Sequence, residues 1–537
     1  MIRPVSFDLS SEDWIRVRRD DGCVRETSLV KLFKHASTLA GLAGEVPTQD
    51  AAVLRLLLAI LRRSFPECRT ARDWRHMWER GSFDMGPIRE YLDRHRDRFD
   101  LLHPEHPFYQ VAGLHTSKGE MTGLDRLIAD VPAGHQYFTT RAGSALTSMS
   151  FAEAARWLVH AQAFDPSGIK SGAVGDERVK GGKGYPIGIA WGGWLGLVIT
   201  EGANLFETLM LNLQLGKSLP SAADDLPVWE RDPQGPAVDT RPGAPTGPAD
   251  LLTWQSRRIR LGHDGERVTG VLIANGDPLH PRDMFRREYM TSWRLSEAQM
   301  KAIKSADPVY MPRAHPPDRA VWRGLGSLLA ETDRDGRTQA ARWLEWLDEL
   351  VDDGALDESY PVRLHTVGMQ YGAQSSVIDD ITDDQMTLRA AVLADPILRA
   401  TAIDAVADVD RAVKVLARLG SDLAEASGGD RDHCAVARGE AREQGFAALD
   451  APYRRWVLDL APDIDHDEHR LRWQATVRAS IDRLGRDLLN SASTSAWAGL
   501  PASTERSQPL NAATAANWFH YNLRKTLPVS EQEGATS

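Results

Sequence analysis

The sequence predicts an α+β protein, with a large mixed α/β N-terminal domain over residues 1–378 followed by a C-terminal helical (four-helix) bundle over 379–537. Three observations predict it. A chain of 537 residues that is 42% hydrophobic is long enough to build more than one core. Strand-like alternation and helical periodicity interleave up to about Asp380, and beyond it long helical patterns run with few internal glycines or prolines.

Taken in order, Trp14-Ile-Arg-Val reads as a short opening strand, and helical periodicity dominates from Ser28 to about Asp100. Its strongest stretch is Gln49 to Phe65, where the run from Val53 to Leu61 predicts a helix buried on most sides. Phe151 to His160 predicts another helix, leading into a glycine-rich segment, and Gly202 to Leu215 a third behind it. Seven prolines between Leu219 and Asp250 mark a long surface excursion that packs down at Val228-Trp229. Leu252 to Leu261 and Arg267 to Ala274, separated by Gly262-His-Asp-Gly, predict a hairpin. Helical stretches from Arg319 to Asp352 precede a strand at Val362 to Met369 and a turn at Tyr371-Gly-Ala-Gln. Helical patterns at Asp384 to Ala426, Asp430 to Asp459, Asp467 to Ser491 and Asn511 to Arg524 form the bundle, and the last ten or so residues are polar and fray.

Composition excludes several classes of function. No apolar run is long enough to span a membrane and the N-terminus lacks the apolar core of a signal peptide, so a cytoplasmic location is expected. Cys23, Cys68 and Cys434 are far apart, which gives neither a disulfide framework nor a cysteine zinc site. A net charge of −11 argues against a free-standing nucleic-acid coat and suits a subunit with local basic loops. Gly182-Lys183 is followed by glycine rather than Ser or Thr, and Leu211 stands where Gly216-Lys217-Ser218 needs a glycine, so no nucleotide loop is formed. No G-x-S-x-G elbow is present. The prolines of His103-Pro-Glu-His106-Pro forbid the helical display of a zinc enzyme, and that segment reads as a turn. His466-Asp467, with His433 and Asp482, leaves open a metal-dependent HD-like phosphohydrolase, against a reading of the same residues as an acidic helix start.

Binding features are clearer than catalytic ones. From Ser167 to Gly188 glycines alternate with Lys170, Arg178, Lys180 and Lys183, a combination in which bare backbone N–H groups and cations can follow phosphates; a plain surface linker explains the same composition. Arg257, Arg258, Arg260 and Arg267 on the hairpin read as a solvated strand face or as a basic patch.

Leu102-His-Pro-Glu-His-Pro-Phe-Tyr-Gln, Gly168-Ile-Lys-Ser-Gly172, Trp254-Gln255, Asn275-Gly276 with His280-Pro281, and Gln374-Ser-Ser before a helical bundle follow one another in the order found in a known family. Over nearly its whole length the chain resembles the large subunit of the type I-E CRISPR Cascade complex, the CasA family. The resemblance implies a noncatalytic role: reading the protospacer-adjacent motif of target double-stranded DNA from the minor groove, starting strand separation, and recruiting a helicase-nuclease. It implies as partners the other Cascade subunits and the CRISPR guide RNA, and no cofactor. The cysteine cluster of some members is missing, so no metal is expected. By the same resemblance the motif-binding loop is Ser167, Gly168, Lys170, Ser171 and Gly172, with Lys170 an available cation. The family's hairpin lysine aligns at or near Thr269, with Arg267 as its substitute. The strand-separating wedge is Gln374, flanked by Ala373 and Ser375, and Phe138, Thr139 and Thr140 match the loop that touches the guide RNA or a neighbouring subunit. Minor-groove reading separates A·T from G·C only coarsely, so tolerance of several motifs is implied. A purely structural scaffold subunit is the remaining alternative.

Overall fold

The computed structural model describes residues 5–129, 131, 141, 143–215, 224–238, 245–329, 337–339, 341–502 and 508–527. Phe138, Thr139 and Thr140 lie outside them. By contacts the chain forms two units: residues 1–319, 330–357 and 362–385 make the first, and 320–329, 358–361 and 386–537 the second. No helix of the described residues is long and apolar enough to cross a membrane.

In the first unit the opening strand Ile15–Arg19 lies between Val24–Thr27 and Leu39–Leu42 in an antiparallel sheet. The helix Pro47–Ser64 starts with proline at its first position, carries Asp50 in its first turn, and has no interior glycine or proline to break it. It is buried nearly all round, as its apolar run predicts, and packs on the helix Phe151–Phe164. Its buried cation, Arg55, is neutralised by Glu288 at 2.8 Å. The proline-rich excursion packs down where expected: Trp229 is buried and donates its indole N–H to Tyr91 Oη.

The predicted hairpin is the pair Arg257–His263 and Val268–Asn275, in register Ile259 to Ile273, with an irregularity at Gly262/His263. A second antiparallel sheet has Pro361–Tyr371 between Leu197–Glu201 and Ile378–Arg389. That last strand corrects the helix expected from Asp384: the acidic stretch 379–384 is extended, and the helices begin only at Ala390 and Pro396. Among the described residues of the stretch from Arg319 to Asp352, Val321–Leu328 and Arg342–Asp352 are helical and Thr338–Gln339 is a strand.

In the second unit four long helices, Pro396–Ala426, Arg431–Leu458, His466–Asn490 and Ala512–Thr526, form the bundle, the first packing on each of the other three. Asp395, Asp430, Asp465 and Asn511 cap them, each side chain accepting backbone N–H groups of the first turn.

Candidate functional site

The Phe151–Phe164 helix ends at Asp165, and this residue organises the loop beyond it. Asp165 N donates to Ala161 O, closing the helix, and Pro166 then prevents its continuation. The chain runs out through Ser167 and Gly168, forms a two-residue ladder in which Lys170 and Ser171 pair with Gly184 and Lys183, and returns to Gly188. Gly168 has φ +124°, open only to glycine. Gly172 is required for a different reason: a Cβ there would sit 2.5 Å from the Gly182 carbonyl carbon. The glycines thus make a folded loop rather than a plain linker.

Lys170 is not the available cation that the sequence suggests. Its Nζ lies 2.5 Å from Asp165 Oδ2, and its side chain is 13% exposed. Arg257 Nε reaches the same carboxylate oxygen at 2.5 Å. Burial works against the Asp165 charge, but the Lys170 and Arg257 cations outweigh it and hold this carboxyl below its ordinary range.

Arg257 and Arg258 likewise correct the solvated-face reading, since each is 1% exposed. Arg258 pairs with Asp277 at 2.6 Å and donates to the Gly235 and Ala237 carbonyls, tying the proline-rich excursion to the hairpin. Arg257 donates through Nη2 to the carbonyls of Pro166 and Gly188, at 3.0 and 2.9 Å, and so clamps both ends of the loop. Arg267 and Thr269 are exposed on the hairpin, as their alternation with buried Val268 and Gly270 dictates. Arg267 donates to Ser148 Oγ at 2.9 Å, a contact that holds the side chain without neutralising it.

Ala373, Gln374 and Ser375 form a tight turn between the strands Pro361–Tyr371 and Ile378–Arg389. Gly372 N donates to Val377 O and Ser375 N to Gly372 O. Gln374 is exposed. Gln374 and Ser375 are both left-handed, at φ 55° and 54°, a conformation that costs a side-chain-bearing residue roughly 1–3 kcal/mol. Ser167 N donates to Ser375 O at 2.8 Å, so the turn and the glycine loop, about two hundred residues apart in sequence, meet directly. A Cβ on Gly168 would come within 3.8 Å of Ser376 Cβ.

The structure therefore brings Ser167, Gly168, Lys170, Ser171 and Gly172 together with Ala373, Gln374 and Ser375. Sequence reasoning missed Asp165, named Arg257 only as part of a strand face or basic patch, and named Tyr371 only as the start of a turn; the Tyr371 hydroxyl donates to Phe164 O at 2.7 Å. The visible signal for the first was an Asp-Pro pair ending an apolar helix.

The phosphohydrolase residues do not converge on one site among the described residues. His466 Nε2 lies 3.0 Å from Ala461 O, and Asp467 is exposed in the first turn of the helix that Asp465 caps, the acidic helix start of the alternative reading. His433 is exposed on the first turn of another helix, while Asp482 pairs with Arg486 and His520. Among the described residues no group of three or more His, Cys, Asp or Glu side chains could hold a metal ion. His103 serves the predicted turn, its Nδ1 accepting from Glu105 N and His106 N.

Comparison with known proteins adds a second line of observation. Residues 8–484 match the family model described as CRISPR-associated protein Cse1. A CRISPR-associated protein CasA/Cse1 of Thermus thermophilus is 29% identical over 520 residues, covering 91% of each chain. The structure of Thermobifida fusca Cse1 is 44% identical, covers 98% of this chain and 99% of that one, and superposes with a TM-score of 0.91. A chain of a structure titled CRISPR RNA-guided surveillance complex has the same fold, with a TM-score of 0.65 at 18% identity over 90% of this chain and all of its own.

Proposed function

This chain belongs to the family of CRISPR-associated protein Cse1, and from that premise we propose that it is the noncatalytic large subunit of a type I-E Cascade surveillance complex, where it reads the protospacer-adjacent motif of target duplex DNA and starts strand separation. The observation that carries the reading is the Ser167 N to Ser375 O hydrogen bond, which sets a glycine loop beside an exposed glutamine turn. Ser167, Gly168, Lys170, Ser171 and Gly172 form the loop that meets the minor groove, the partly exposed Gly168, Lys170 and Ser171 presenting narrow backbone and the buried Ser167 and Gly172 holding its shape, and Arg267 adds an exposed cation from the hairpin. Gln374, with Ala373 and Ser375, enters beside the motif and holds the first base pair open. Losing one stacked step costs about 1.4 kcal/mol, a deficit that a few polar contacts offset without ATP. The guide RNA and the other Cascade subunits hold the chain in place, Phe138, Thr139 and Thr140 contributing to that contact, and a helicase-nuclease is recruited once the target is bound.

The test is the target-duplex affinity of the remaining Cascade subunits plus guide RNA, with and without this chain, on duplexes that differ only in the flanking motif. A motif-dependent gain on adding the chain is expected; a gain blind to the motif leaves only a scaffold. Gln374→Ala is expected to slow opening of the first pair, read by a fluorescent base, more than it weakens duplex capture. An unchanged opening rate removes the wedge role.

A further inference from the structure

The loop and the glutamine turn share one foundation, the C-terminal end of the Phe151–Phe164 helix. Two side chains hold them there. Arg257 takes the loop: its guanidinium bonds the Asp165 carboxylate and carbonyl, then the carbonyls of Pro166 and Gly188, where the loop leaves and returns. Arg257 itself is fixed from behind, because Gln162 accepts its backbone N–H at 2.9 Å and donates to its carbonyl at 3.0 Å. Tyr371 takes the turn: its hydroxyl donates to Phe164 O, one residue before Asp165, and its ring lies so close to Gly193 that a Cβ there would overlap Oη. Tyr371 immediately precedes Gly372, where the turn begins.

We propose that Arg257 and Tyr371 are positioning residues that make motif reading and strand opening one coupled event, by fixing the loop and the wedge to adjacent carbonyls of a single buried helix end. The inference rests on the proposed reading of loop and wedge and adds how they communicate. Because the planar guanidinium of Arg257 reaches in three directions at once, through Nε to the Asp165 carboxylate, through Nη1 to Ser256 O and through Nη2 to the carbonyls of Asp165, Pro166 and Gly188, displacement of the loop neck by bound DNA moves the same helix end that seats Tyr371. Lysine, which keeps the charge toward Asp165, cannot reproduce that reach. Tyr371→Phe keeps the ring packing and removes only the bond to Phe164.

The readout is the rate of first-pair opening at saturating assembled complex on a preferred-motif duplex, divided by the rate on a mismatched-motif duplex. This quotient is insensitive to the fraction of folded protein, so a merely structural role leaves it unchanged. In Arg257→Lys and in Tyr371→Phe it is expected to fall by about tenfold toward one, the scale of losing one charge-assisted or buried hydrogen bond. The double variant should lose little more than either single one, since both cut the same connection. A quotient kept at the wild-type level in Tyr371→Phe, whose fold rests on an intact ring, overturns the proposal whether or not Arg257→Lys assembles. A wild-type quotient of one would instead overturn the motif-reading function itself.

Discussion

Lys170 is a cation of the candidate loop and Arg267 a cation at the turn end of the hairpin, away from the Arg257 end that holds the loop, yet only one of them has charge to offer. Lys170 stands 2.5 Å from a buried carboxylate, whereas Arg267 is exposed and held by the neutral Ser148. Each phosphate neutralised by a free cation contributes about −0.9 to the slope of log affinity against log salt. Arg267→Ala is therefore expected to reduce that slope by about one for the assembled complex, and Lys170→Ala to leave it unchanged while weakening binding by loosening the loop. Equal effects on the slope would mean that Lys170 leaves Asp165 when DNA binds. The sequence could not separate these residues: Asp165 stands near Lys170 in the chain, but no pattern shows that the loop folds Lys170 back onto it, and the second cation on that carboxylate, Arg257, is 92 positions away. Alternation identifies which residues share a strand face, and it is silent on whether that face meets water or a carboxylate. The resemblance could nominate the loop and the turn, but not the hydrogen bond that joins them.

Among the elements, the strand Pro361–Tyr371 was legible from its apolar and β-branched residues, and its partner Ile378–Arg389 was not. Aspartates 379, 380, 383 and 384 have poor strand propensity, and their extended form is supported by tertiary contacts. Thr366 Oγ1 donates to Asp384 O, and His365 lies between two carboxylates, with Nδ1 2.7 Å from Glu201 Oε1 and Nε2 2.7 Å from Asp383 Oδ1. All three strands of the sheet that carries the wedge thus meet at one imidazole. Burial disfavours its charge, but Glu201 and Asp383 outweigh that and raise its pKa above the ordinary 6.5. The stabilisation is full below about 6.5 and is lost as pH rises through the folded value. Asp50, which faces His365 and Glu201, acts in the same direction. Burial pushes its carboxyl from 3.8 up to about 7, so the fold loses stability between those values as the unfolded chain releases the proton more readily. Thermal midpoints measured from pH 6 to 9 should fall more steeply for the natural chain than for His365→Gln, whose neutral amide has no proton to lose. Parallel curves would show that the sheet does not depend on the charged ring. Helix boundaries in the bundle were read more closely than this sheet, because Asp430 and Asn511 announce their helices by capping chemistry that is local in sequence.

For the whole molecule, the second unit is more than the C-terminal stretch of helices that periodicity reveals, since residues 320–329 belong to it as well. Trp322 is fully buried there, stacked on Tyr453 at 4.9 Å and donating its indole N–H to Asp450 Oδ1 at 2.7 Å. Arg323 lies over the Phe446 ring at 3.6 Å. Nothing in a window around Ala320 signals this, because a 3₁₀ turn of four residues has no period to read and its partners are more than a hundred residues away. A fragment of residues 386–537 would have all four long helices and an unfilled slot where Trp322 belongs. Removing a buried tryptophan costs about 3–5 kcal/mol, a large share of the stability of a domain this size. The fragment should therefore unfold at lower denaturant than the same unit in the full chain, and a peptide of residues 319–330 should bind it and raise its midpoint, with a blue shift of the Trp322 emission. The Trp322→Ala peptide should do neither. If the bare fragment were as stable as the unit in the full chain and indifferent to the peptide, the bundle would be complete in its own sequence, and the 320–329 segment would only lie against it.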